Sequence, residues 1–260
     1  MAEEEIKSIP VIAAEVAAPV EVPVGVSRGK EFDREGWEPR TALGKLVKEG
    51  KITSINQILD NGMTILESGI VDFLIPNMQS DVLSIGQSKG KFGGGKRTIW
   101  RTTQKKTPEG NSPSFASLIV TGNNNGYVGL GYGKARETLP SREKAVKAAK
   151  LNVIKIVRGC GSWLCFCSQH HSIPYKITGK CGSVEMELIP APKGTGLCVE
   201  KECSKILRLA GIKDVYSHTE GSTTTKLNML MACFNALKNL SQMKVREEIK
   251  KPLGVLRGAA

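Results

Sequence analysis

The chain has 260 residues, 40% of them hydrophobic and 5% aromatic, with 37 Lys and Arg against 25 Asp and Glu, a formal charge of +12 and a pI near 9.4. That length can bury the core of one large domain or two small ones, and the charge points to a polyanionic partner such as nucleic acid. No run of about 18 apolar residues occurs, which excludes a helix that crosses a membrane, and the acidic start MAEEEIKS lacks the basic-then-apolar order of a secretory signal. An intracellular protein is expected, whose seven cysteines stay reduced and free to bind a metal.

Residues 1–34 scatter Glu3, Glu4, Glu5, Glu15, Glu21 and three prolines through Ala and Val with no helical or strand period, and are expected to form a disordered tail. A helical extension is expected over 35–78. TALGKLVKEGKI (41–52) offers Leu43, Leu46 and Val47 with Gly50 as a stop, and SINQILDNG (54–62) follows with Ser54 as N-cap, so two short helices fit. A further apolar stretch, IVDFLIP (70–76), ends at Pro76.

Residues 79–158 form the next unit. DVLSI (81–85), SLIVTG (117–122) and YVGLGYG (127–133) read as strands, and the NNNG between the last two predicts a hairpin with positive φ at Asn125 and Gly126. Between the first two strands, QSKGKFGGGKRTIWRTTQKK and PEGNSP (108–113) are expected to make one long basic loop. It carries Lys89, Lys91, Lys96, Arg97, Arg101, Lys105 and Lys106, with glycines that let the backbone approach phosphate oxygens. A helix is then predicted over LPSREKAVKAAKLNVIKIV (139–157), with Pro140 in its first turn. At 100° per residue Ala145, Val146, Ala148, Ala149 and Val153 share one side, and Lys144, Lys147 and Lys150 step along its border.

GCGSWLCFCSQHHS (159–172) places three cysteines and two histidines in a linker. Cys160, Cys165, Cys167 and either His170 or His171 supply four zinc-type donors within twelve residues. A structural zinc has all four positions filled by protein, whereas a catalytic one keeps a position for water beside a carboxylate base. No Asp or Glu lies between Asn152 and Gly182, and the deaminase signature is absent, so a clasp is favoured over a catalyst.

A second unit is expected over 173–242: strands at YKITG and SVEMELIPAP (183–192), a helix in VEKECSKILRLAGIKDV (199–215) ended by Gly211 and followed by a short strand, and a helix at KLNMLMACFNALKNL (226–240). KGTGL (193–197) fits a tight strand-to-helix turn or a phosphate cradle. Cys198, Cys203 and Cys233 fall at apolar positions as buried thiols, Cys181 is a substitute ligand, and His218 sits in a polar loop suited to face RNA. Residues 243–260 are expected to be a flexible tail.

The runs GNNNGYVGLGYGKARE, KAVKAAKLNVIKIVRGCGSW, GKCGSVEMELIPAPKGTGL and LRLAGIKDVYSHTEGSTTTKLN resemble the small-subunit ribosomal protein S-five family, whose eukaryotic member is S-two. The resemblance covers about residues 35–242. The GCGSW-x-C-x-C-x3-HS form and WEPRTALGKLVKEGKITS resemble the archaeal type, and Ile99 to Pro113 resembles an insertion seen in some archaeal members. The resemblance implies an α+β protein: an N-terminal domain similar to a double-stranded-RNA-binding fold, β-β-β-α, followed by a two-layer α/β C-terminal domain. It implies a non-enzymatic component of the cytoplasmic ribosome that binds small-subunit ribosomal RNA near the central pseudoknot and the messenger entry channel, touches neighbouring ribosomal proteins and supports decoding accuracy. Its RNA-facing segments correspond here to Lys89 through Arg97 and to Lys134 and Arg136; Lys144 and Arg158 join them as candidates. His171 matches the histidine of the family's HS pair, which gives Cys160, Cys165, Cys167 and His171 as ligands of one structural zinc. A zinc-dependent nucleic-acid-modifying enzyme and a free RNA-binding regulator are the rival readings.

Overall fold

The computed structural model describes residues 36–75, 77–87, 97–165 and 167–258, so the expected tail 1–34 lies outside the described residues. Three short helices come first: α1 (Ala42–Lys48), α2 (Ile55–Asp60) and α3 (Ser68–Leu74). The Thr41 hydroxyl caps α1 by accepting from the Gly44 amide at 3.1 Å, and Gly50 follows the helix at φ +76°. Ser54 occupies the N-cap position of α2 without a side-chain capping bond. Val47, Ile58, Ile70 and Val71 are fully buried and form a satellite core with Tyr127 and Val153, each worth about 1.5–3 kcal/mol of apolar burial.

The first sheet contains β1 (Gln79–Leu83), β2 (Arg101–Thr107), β3 (Gly110–Gly122), β4 (Tyr127–Ala135) and, after helix α4 (Thr138–Leu151), β5 (Val153–Lys155). The order is β1-β3-β4-β5 and all pairings are antiparallel. β1 and β2 share one edge of β3: Leu83 pairs with Leu118, Arg101 with Ala116 and Thr107 with Gly110. With β2 set aside as an extra arm, this is the expected β-β-β-α order.

The long basic loop is therefore half hairpin. Residues 99–113 contain almost no apolar side chains and β2 is exposed along its whole length, so no period of two marks the strand. The ladder and a 2.9 Å hydroxyl contact between Thr103 and Ser114 set its register instead. At the next turn the positive φ values fall on Asn124 (56°) and Gly126 (92°) rather than on Asn125. The cause is Asn123, whose carbonyl Oδ1 accepts from the amides of Asn125 and Tyr127 at 2.9 and 3.1 Å.

Alternate glycines of YVGLGYG explain how α4 packs. Gly129, Gly131 and Gly133 all face α4, and a Cβ at any of them would overlap the backbone of Ala149, Ala145 or Ser141. The helix stops at Asn152, whose amide side chain donates to Leu130 O at 3.1 Å. The predicted helix thus runs too long: the β-branched VIKIV that follows forms β5 and β6 (Val157–Arg158) instead.

The second sheet has β7 (Ile177–Cys181), β8 (Val184–Pro190), β9 (Leu197–Cys198) and β10 (Val215–Glu220) in the order β7-β8-β10-β9, with β9 parallel to β10. Helices α5 (Lys201–Ala210) and α6 (Lys226–Gln242) complete this unit, and Gly211 ends α5 in the left-handed region at φ 84° as expected. One continuous core joins Leu118, Val120, Val128 and Leu130 of the first sheet to Ile206 and Leu207 of α5 and to Met186 and Leu188 of β8. Cys203 and Cys233 lie in that core, where their mutual hydrogen bond and burial push the Cys203 thiol far up and keep it neutral. Cys198, expected to be buried, is exposed at the edge strand.

The C-terminal segment differs most from expectation. Instead of a loose tail it forms α7 (Glu247–Lys250) and β11 (Leu256–Arg257), the latter pairing antiparallel with β6. Two residues make too short a strand to leave a pattern in sequence. No helix among the described residues is long and apolar enough to cross a membrane.

Candidate metal centre and nucleic-acid interface

The linker folds back on itself through a bridge between Gly159 and Ser172, which brings the two ends of the Cys/His stretch together. The donor atoms of Cys160, Cys165, Cys167 and His171 then lie within 4.8 Å of one another. A tetrahedral zinc with bonds of about 2.3 Å to sulfur and 2.0 Å to nitrogen needs donors about 3.6–3.8 Å apart. Cys165 Sγ and His171 Nε2 are 3.8 Å apart, so this set of three thiols and one imidazole fits a metal with little movement. Cys181 ends β7 and does not belong to the cluster.

His171, not His170, completes the set, and a carboxylate decides its tautomer. His171 Nδ1–H donates to Asp214 Oδ2 at 2.8 Å, both side chains being only 6% exposed, which leaves Nε2 as the free acceptor on the cluster side. The other Asp214 oxygen accepts from the amides of Gly194 and Gly196 at 3.1 and 2.8 Å. Two amides of KGTGL are thus already occupied by a carboxylate, and the turn reading fits them better than a phosphate cradle. His171 O in turn accepts from the amides of Lys213 and Asp214, so the start of β10 is tied to the cluster.

Cys160 and Cys165 differ as acids. A hydrogen bond from the Lys193 backbone, with further bonds from Cys167, lowers Cys165 to about 6, whereas burial raises Cys160 to about 11. A bound divalent cation would favour the thiolate at both positions. Asp214 is the residue that reading the chain in order missed, because it lies 43 positions beyond His171 and only the fold joins them.

The cations predicted to face RNA separate into several environments. Lys89, Lys91 and Lys96 lie outside the described residues. Arg97 is half-buried and donates to Gly86 O at 3.5 Å and Thr224 O at 3.2 Å, so it ties the loop to the turn before α6. Arg101, Lys105 and Lys106 are exposed on β2, and Lys134 and Arg136 are exposed at the end of β4. Arg101 and Lys134 both pair in register with Ala116, which sets them on one face of the sheet, two strands apart.

On α4, Lys144 and Lys147 are exposed, but Lys150 donates to Asp72 at 2.7 Å and anchors α3. Arg158 is in the interior, only 3% exposed. Its guanidinium donates to Asn125 Oδ1 at 2.8 Å, Gly258 O at 3.0 Å and Gly211 O at 3.5 Å, and burial lowers its pKa. His218 lies on strand β10 rather than in a loop, with Nε2 3.3 Å from the Glu220 carboxylate.

Two family models match the chain: Ribosomal protein S5, N-terminal domain, over residues 99–157, and Ribosomal protein S5, C-terminal domain, over residues 179–251. The first match takes in the β2–β3 hairpin, and the Cys/His stretch lies between the two. The small ribosomal subunit protein uS5 of Nanoarchaeum equitans is 48% identical over 225 residues, covering 86% of this chain and 96% of that protein. Those of Methanothermobacter thermautotrophicus and Methanocaldococcus jannaschii are 46% and 45% identical, covering 86% and 87% of this chain and 97% and 98% of theirs.

Proposed function

The chain belongs to the ribosomal protein S5 family, and from that premise we propose that it is a structural, non-enzymatic component of the small ribosomal subunit, bound to ribosomal RNA and to neighbouring ribosomal proteins in the cytoplasm. The observation that carries this reading is the near full-length similarity to archaeal relatives, each named a small ribosomal subunit protein. Exposed cations on the β2–β3 hairpin, at the end of β4 and on α4 agree with it, since such side chains neutralise backbone phosphates while small residues allow close approach.

In finer detail, the unit at 79–158 docks on RNA near the central pseudoknot and the messenger entry channel, and the unit at 173–242 meets neighbouring proteins. Positioned there, the protein supports decoding accuracy. The linker at 159–172 carries one structural zinc on Cys160, Cys165, Cys167 and His171. Four protein donors leave no position for a reacting water, and the nearby carboxylate, Asp214, orients His171 from the side away from Nε2. Both features favour a clasp over a zinc-dependent nucleic-acid-modifying enzyme. Sucrose-gradient fractionation of cells expressing the tagged chain tests the reading: the tag co-sediments with the small subunit, whereas a chain found mainly in free fractions is a regulator and not a ribosomal component.

A further inference from the structure

Where the Asn123–Gly126 turn, the end of α5 and the Cys/His linker meet, a cavity of about 550 Å³ opens to the surface. Three cations line it: Arg158 from β6, Arg208 from the last turn of α5, and Lys213 just before β10. Arg208 and Lys213 are exposed, and among the described residues none of the three forms an ion pair with a carboxylate. Asp214, next to Lys213, has both oxygens engaged by His171, Gly194 and Gly196.

Arg158 is the unusual member. It is 97% buried, and among the described residues its bonds all go to neutral oxygens and its buried Nε–H has no hydrogen-bond partner. A buried charge without a counter-charge, and a buried donor without an acceptor, are both costly. The C-terminal end of α5 compensates for only part of this, since a helix terminus carries about half an elementary charge. Three cations against that partial charge leave the cavity strongly positive.

We propose that this cavity is an anion site that receives one backbone phosphate of the small-subunit RNA, placing an RNA contact at the joint between the two sheets. It rests on the ribosomal-RNA reading above. Arg158 provides a fixed floor of positive charge beneath the phosphate, and Arg208 and Lys213 reach it from the rim. The same oxyanion chemistry is available to free inorganic phosphate, so the test separates the two sources.

The full chain is titrated with small-subunit RNA over a range of salt concentrations, comparing wild type with Arg208→Ala/Lys213→Ala and with a control of equal charge change, Lys201→Ala/Lys238→Ala. Both cavity positions are exposed, so that variant keeps the fold. One lost phosphate contact predicts about a tenfold or greater loss of affinity at low salt. The log–log salt slope becomes shallower by about 0.7–0.9. The control should lose neither. Equal loss in the control, or an unchanged slope in the cavity variant, overturns the proposal while leaving RNA binding intact. A wild type with no salt-dependent affinity for this RNA overturns the ribosomal-RNA reading and the proposal with it. The NMR signal of Arg158 Nε–H is followed in parallel, with RNA and with inorganic phosphate at fixed ionic strength. A shift on adding RNA supports the proposal, and a site saturated by inorganic phosphate that RNA does not displace overturns it.

Discussion

His171 and Asp214 lie 43 residues apart in the chain and 2.8 Å apart in the structure, an inward-facing pair that joins the Cys/His linker to the start of β10. Asp214→Asn tests what that pair does. The amide oxygen still accepts from Gly194 and Gly196, but its NH2 cannot accept the proton on His171 Nδ1. Zinc affinity, measured by competition with a chromophoric chelator, is expected to fall about 10–100-fold with the fold retained. Unchanged affinity would mean that the carboxylate does not orient the ligand.

Metal removal should loosen a defined part of the molecule. The Cys160 amide donates to Leu253 O at 2.8 Å and the Ser168 hydroxyl to Pro252 O at 3.0 Å, so the linker holds the segment that leads into β11. Chelation, or Cys165→Ser, is expected to speed amide exchange at residues 159–172 and 252–258, while the paired centre of β3 and β4 stays protected. Hydrogen-exchange mass spectrometry distinguishes this local opening from global unfolding.

Gly131→Ala should act on packing alone. A Cβ there would overlap the backbone of Ala145 and Ala149, so α4 must move off the sheet. A loss of at least about 1–3 kcal/mol is expected in urea unfolding, with the m-value unchanged.

The lysines of α4 should divide by role. Lys150→Ala breaks a pair with Asp72 in which both side chains are about one-fifth exposed, and is expected to cost about 1–3 kcal/mol of stability with little effect on RNA affinity. Lys147→Ala, and Lys105→Ala on the exposed arm, should do the reverse: an unchanged melting temperature and a salt slope for small-subunit RNA shallower by about one each. Filter binding and thermal melts on the same preparations check both halves.

Much of this architecture was legible because local chemistry and tertiary demand agree. Gly211 ends α5 where only a left-handed residue fits, and the NNNG turn closes a hairpin between two apolar strands. The cluster of four donors was readable because all lie within twelve residues. The β2–β3 arm was not, because a strand exposed on both faces has no alternation to display. Arg158 was grouped with the RNA-facing cations because nothing in its neighbours along the chain shows that Asn125, Gly211 and Gly258 converge on it. Asp214, likewise, acquires its role only through the fold.

X-ray absorption at the zinc edge, on the full chain purified without chelator, tests the closed clasp most directly. One zinc per chain is expected, with three sulfur neighbours at about 2.3 Å, one nitrogen at about 2.0 Å and no oxygen. A metal-free chain, or a shell in which an oxygen replaces one of those four donors, would contradict it.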